Sequence, residues 1–236
     1  MKLYELPYVC GMYGAFTSFD KSMKKFRDAT NPALDLSNQD HRKVLLDWLN
    51  SWGVRHLAKG YHHMASKELL NWGRRHIDQL PRKEVALTKL SDSALDAITE
   101  AYGNLMRRPA SMRVRKSISS SVAFGATATA KVLHALRPNA LLPWDDSIRR
   151  HFQCKGTPED YRKFLRSVQE QGRLLEEEAG RLGITPGDIP AAVGRPNSSL
   201  PKLVDEYYFV TITKMCGPPT KEELERWAYW ARGDAR

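Results

Sequence analysis

SISSSVAFGATATAKVLHALRPNALLPWDDSIRRHF, residues Ser117 to Phe152, is the stretch whose reading decides the fold. Ile118 and Val122 on one side of Ala123-Phe124-Gly125, and Val132, Leu133 and Leu136 on the other, are apolar residues at helical spacing. Gly125 in the break can take a positive φ and lets a ligand come close to the backbone. A second helix is predicted from about Ala126 until Arg137-Pro138 stops it. A short apolar connector, Ala140 to Pro143, then delivers Trp144-Asp145-Asp146 to the start of a third helical segment. The order expected is helix, tight hairpin, helix, loop, acidic pair.

Outward from this centre the pattern stays helical. Val44, Leu45, Trp48, Leu49 and Trp52 form a stripe over 40–52. Helices are also predicted over 66–80, 91–106 and 158–182, and over 220–232, where Thr220 and Glu223 form a capping box. A buried element, read as a helix, occupies 200–215, with a brief β-prone run near Phe209 to Ile212. Ser37 or Asn38 is the expected cap after the Asn31-Pro32 break. Residues 183–199, rich in Gly, Pro and Ser, are expected to form a long connection. No sustained strand alternation is visible, so the fold class expected is all-α.

Composition narrows the function classes. The formal net charge of +10 suits a polyanionic partner. No run of 18 apolar residues exists, so no membrane span is expected, and the start, MKLYELPYVCG, lacks a long apolar signal core. Three scattered cysteines, Cys10, Cys154 and Cys216, point to a reducing, cytoplasmic setting. They cannot supply four ligands to an iron–sulfur cluster. The spacing of His41, His56, His62, His63 and His76 fits no HExxH or zinc-ribbon pattern, so neither metal nor cofactor is expected. His62 and His63 are placed in a loop beside Tyr61. Arg107, Arg108, Arg113, Arg115 and Lys116 precede the suspected hairpin, where phosphate contact and a solvated basic face are alternative readings.

Ala123-Phe124-Gly125, with Ala in place of a first Gly, together with Asp145-Asp146-Ser147-Ile148-Arg149-Arg150, resembles the helix-hairpin-helix DNA glycosylases. That family pairs a Gly-hydrophobic-Gly hairpin with an Asp-x-x-(Ile/Val)-x-Arg signature. The resemblance implies two helical domains, 37–137 and a discontinuous 1–36 plus 138–236, with the active site in the cleft between them. It implies a monomer that flips a base out of double-stranded DNA and hydrolyses its N-glycosidic bond. Asp145 becomes the catalytic carboxylate, stabilising the oxocarbenium-like sugar and assisting water. Backbone N–H groups of Ala123, Phe124, Gly125, Ala126 and Thr127 grip a phosphate, aided by Lys116, Arg149 and Arg150. Trp144, Trp52, Tyr61 and Lys131 are candidates for the base pocket.

The register bears on the chemistry. Family members with lyase activity carry their Schiff-base Lys two residues after the second hairpin Gly, and Thr127 stands there instead. The resemblance thus implies a monofunctional enzyme. Lys131, one turn along the same face, keeps a lyase open as a rival. Others are a non-catalytic DNA-binding protein in which Asp145 is only a helix cap, and a helical protein–protein module. The base excised is open: damaged or mismatched bases in repair, or, by analogy, a bulky modified base of phage DNA in antiviral defence.

Overall fold

The computed structural model of the chain describes residues 1–115 and 118–231. The fold is mostly helical. Helices α1 (Leu6–Phe16) and α2 (Phe19–Ala29) lead into α3 (Gln39–Ser51), α4 (His62–His76) and α5 (Asp92–Met106). A two-stranded sheet follows, β1 (Pro109–Arg115) and β2 (Ile118–Ala123), then α6 (Gly125–Leu136), α7 (Asp146–His151) and α8 (Pro158–Arg181). The short α9 (Ile189–Ala192), then α10 (Leu200–Tyr208) and α11 (Lys221–Ala231), complete the chain.

Local chemistry accounts for most of the helix starts. Asn38 accepts from the N–H groups of Asp40 and His41 to cap α3, and Ser91 accepts from Ala94 N–H to cap α5. Thr157 and Asp160 close a reciprocal box at α8, as Thr220 and Glu223 do at α11. His62 and His63 open α4 rather than lying in a loop, with the His62 ring beside the Asn50 amide at 3.0 Å. The β-prone run near Phe209 is likewise helical: Phe209–Thr213 prolongs α10 as a single π turn.

The largest departure from the sequence pattern precedes α6. Residues 118–123 are a strand, paired antiparallel with β1 from Arg115↔Ile118 to Pro109↔Ala123, with an irregularity between Pro109 and Ser111. Ile118 and Val122 do sit four apart, but Ser119-Ser120-Ser121 between them compete for backbone hydrogen bonds and favour extended chain. Both Ile and Val are also strong strand formers. The helix before α6 is therefore α5, which packs against it, and a β-hairpin fills the connection. Lys116 lies outside the described residues.

Most buried apolar side chains form one continuous cluster from Leu3 to Val204, and Val9, Tyr13 and Val210 form a second, smaller one. At its centre the Trp72 indole donates to Ala101 O (2.9 Å), joining α4 to α5. A second knot of rings, Tyr102, Trp144, Tyr161 and Phe164, ties α5 and α8 to the connector after α6. Among the described residues no helix is long and apolar enough to cross a membrane.

Candidate active site

The connector from α6 to α7 is held at two consecutive carbonyls. His134 Nδ1 donates to Leu141 O at 2.8 Å, and Tyr161 Oη donates to Leu142 O at 2.8 Å. Trp144 is fully buried in the ring knot. The next residue, Asp145, is thereby delivered in a fixed pose as the N-cap of α7. Its Oδ1 accepts from Ile148 N–H (2.8 Å), and its Oδ2 accepts from Thr213 Oγ1 (3.0 Å), contributed by the π turn. Each carboxylate oxygen has a second lone pair, so both anchors leave acceptor capacity for water or a ligand.

Asp145 opens onto a cavity of about 550 Å³, a size typical of small-molecule sites. Tyr13, Phe19, Trp52 and Phe209 give it aromatic walls, and Gly125, Ala126 and Thr127 bring the start of α6 to it. Gly125 has φ of +70°, a conformation that strains any residue with a Cβ. Phe124, just before it, is buried and doubly anchored: its N–H donates to Arg108 O (3.0 Å) and its carbonyl meets His56 Nε2 at 2.9 Å. The first N–H groups of a helix have no partner within it, and here they border a cavity that also holds an arginine. That arginine, Arg149, is bound by Asp146 Oδ1 at 2.9 Å.

Lys131 lies in the same cavity, only 9% exposed. Its ammonium donates to the Trp52 carbonyl and sits 5.6 Å from the Trp52 ring centre. Burial lowers its pKa to about 8, against the opposing pull of the Asp205 and Asp145 carboxylates, while Lys202 adds to the lowering. Asp205 also lines the cavity and is itself held by Lys202 at 3.0 Å. Lys202 is buried between Asp205, Glu206 and the Tyr13 ring (4.0 Å to its centre). Desolvation opposes its charge, but these neighbours outweigh it and hold its pKa above the usual lysine value.

The expected site residues divide into two groups. Phe124, Gly125, Ala126, Thr127, Lys131, Trp52, Trp144, Asp145 and Arg149 meet at one cavity. Ala123 ends β2 beside it, and Arg150 is exposed on α7, 3.3 Å from Asp146. Tyr61 ends a short helical turn, Lys59–Tyr61, outside the residues lining the cavity. Arg108 is taken up by Glu68 (2.7 Å) and Asn104, whereas Arg113 on β1 is exposed. Sequence reasoning did not single out Asp205, Thr213, Tyr13, Phe19 or Phe209. Asp205 follows Lys202 by three residues on a helix, an ordinary surface pattern, and only the packing of α10 shows it to be interior. Among the described residues no group of three or more His, Cys, Asp or Glu side chains is placed to hold a metal ion.

Compared with family models, with curated proteins and with solved structures, the chain shows no match.

Proposed function

We propose that the protein is a DNA N-glycosylase that hydrolyses the bond between a flipped base and its sugar, with Asp145 as the catalytic carboxylate. The observation that carries this reading is the fixed Asp145, anchored through both oxygens at the wall of an aromatic cavity that the start of α6 also lines. A partly buried carboxylate stabilises positive charge developing on the sugar, and its free lone pairs orient the attacking water. The aromatic walls suit a planar base removed from its stack. The α6 start, with Gly125 leaving its backbone uncovered, suits a phosphate.

The β-hairpin ahead of α6 separates this chain from the helix-hairpin-helix pattern. In the proposal, the role of the first hairpin helix passes to β1 and β2, on which Arg113, opposite Ser120, is exposed. The chain's formal charge of +10 supports double-stranded DNA as the partner.

Abasic-site formation tests the reading. Alkylated, oxidised, deaminated, mismatched and modified phage DNAs are incubated with the protein and with Asp145→Asn, and strand breaks are scored with and without alkali. Alkali-dependent breaks are expected from the wild type, with Asp145→Asn slower by at least about 10²-fold, comparable to the loss of one charge-stabilising group. Asn remains a good helix cap, so the variant should keep its fold and its DNA affinity. Salt-sensitive DNA binding without breaks on any substrate would instead identify a non-catalytic DNA-binding protein.

A further inference from the structure

We infer that Lys131 is the acid of this reaction, giving a proton to the departing base, and that the cavity serves electrically neutral bases rather than cationic ring-alkylated ones. The inference rests on the glycosylase reading of the same cavity.

The geometry supplies the argument. Lys131 arises from the interior of α6, its Nζ is tied to the Trp52 carbonyl, and both residues line the cavity. An ammonium has three N–H donors, so two remain for whatever occupies the cavity. Trp52 O is a neutral acceptor, and no carboxylate lies within ion-pair distance of Lys131 among the described residues. The charged groups that line the cavity with it are Asp145, the cap of α7, Asp146 and Arg149 on α7, which pair with each other, and Asp205, backed by Lys202, from α10; Tyr13 and His56 complete the titratable lining. Lys131 is thus a buried cation without a dedicated counter-ion, in the same cavity as the carboxylate assigned to the water.

Two such groups divide the work of hydrolysis. Water oxygen bonds to the sugar C1′ while its proton passes to Asp145, and the C1′–N bond breaks with its electron pair going to the base. A neutral base leaves as an anion and needs a proton on a ring nitrogen or keto oxygen, which Lys131 Nζ–H supplies. Return of the Asp145 proton to Lys131 through solvent closes the cycle, with one water added across the bond. A base already carrying positive charge leaves neutral and has no use for the acid. Burial sharpens the role: with its pKa near 8, the ammonium is still largely protonated at neutral pH yet is a stronger acid than an ordinary lysine.

The test uses the full chain in single-turnover base release from duplex DNA. The substrates are the best neutral base found in the abasic-site panel and N7-methylguanine, a cationic leaving group. The wild type is expected to favour the neutral base, with its rate falling as pH rises through about 8. Lys131→Gln should slow neutral-base release by about 10²-fold or more, the usual worth of a general acid. It should flatten the alkaline limb and leave N7-methylguanine release unreduced. Equal losses on both substrates, an unchanged pH profile, or a wild-type preference for N7-methylguanine would overturn the assignment. So would a borohydride-trapped protein–DNA adduct that vanishes in Lys131→Gln, which would make Lys131 a nucleophile. If Lys131→Gln fails to fold, the wild-type alkaline limb and substrate preference still decide. Release that ignores Lys131 sinks only this inference; a wild type inert on every DNA sinks the glycosylase reading with it.

Discussion

At the scale of single residues, burial opposes the protonation of His134 and of Lys131, and each ties stability to pH. His134 is fully buried, stacked on Trp52, with Nδ1–H given to Leu141 O; desolvation pushes its pKa down to about 3. The unfolded imidazole takes a proton near pH 6.5 and the folded one does not. Stability is therefore lost as pH falls from about 6.5 towards 3. Chemical unfolding should show the wild type losing about 2 kcal/mol more than His134→Asn between pH 7 and pH 5. Lys131 acts in the alkaline range. Its unfolded form stays protonated up to about 10.5 and its folded form only to about 8, so folding releases a proton in that window. Relative to Lys131→Met, the wild type should gain stability as pH rises from 8 to 10.5, read from paired urea titrations. A constant difference between the two proteins would show that Lys131 is not buried as a strained cation.

At the scale of elements, the start of α6 depends on one backbone conformation. Gly125 has φ of +70°, and a Cβ built there would meet no other atom within 4 Å. The cost of Gly125→Ala should thus be backbone strain alone, about 1–2 kcal/mol in thermal or urea unfolding; under the proposed function, affinity for DNA should fall proportionally more because the N–H groups turn away. A loss of stability well above that range would point to a steric role instead. The hairpin before α6 illustrates how a short element escapes periodicity. Two apolar residues four apart satisfy a helix, but three serines between β-branched neighbours satisfy a strand better. The π turn over Phe209–Thr213 is another such case, for it alone turns Thr213 onto Asp145, in keeping with the frequency of π bulges at functional sites.

At the scale of the whole molecule, a charge network centred on the buried Lys202 and Glu206 joins α2 to α10. Arg195 binds Asp20 of α2 at 2.7 Å and Glu206 of α10 at 2.6 Å, and Lys202 reaches Glu206 at 3.4 Å. Glu206 is wholly buried, and desolvation raises its pKa against the pull of Lys202 and Arg195. Removing Glu206 leaves Arg195 with Asp20 and Lys202 with Asp205, so each cation keeps one partner and the loss is smaller than the about 3–5 kcal/mol of a buried charge left wholly unpaired. Glu206→Leu should therefore destabilise the fold by about 1–3 kcal/mol, the worth of hydrogen bonds to a charged group, in equilibrium unfolding. It should also perturb the cavity, since Lys202 holds Asp205 and lies over Tyr13 and Trp52. A near-neutral result would mean that packing alone sets the position of α10.

The sequence by itself determined the helices with strong caps and long apolar stripes, the break at Phe124-Gly125, and the acidic N-cap at Asp145. These depend on contacts within a few residues, which local composition encodes. The capping boxes at Thr157 and Thr220 belong to the same class. The tertiary structure alone decided that residues 109–115 and 118–123 are paired strands, because strand pairing draws on partners outside each strand. It alone decided that Tyr61 stands away from the cavity while Asp205, Phe209 and Tyr13 enter it, and that Lys131 shares an enclosed space with Asp145. Those placements come from burying faces of α1, α6 and α10 against one another, and the desolvation that shapes Lys131 exists only once they have packed.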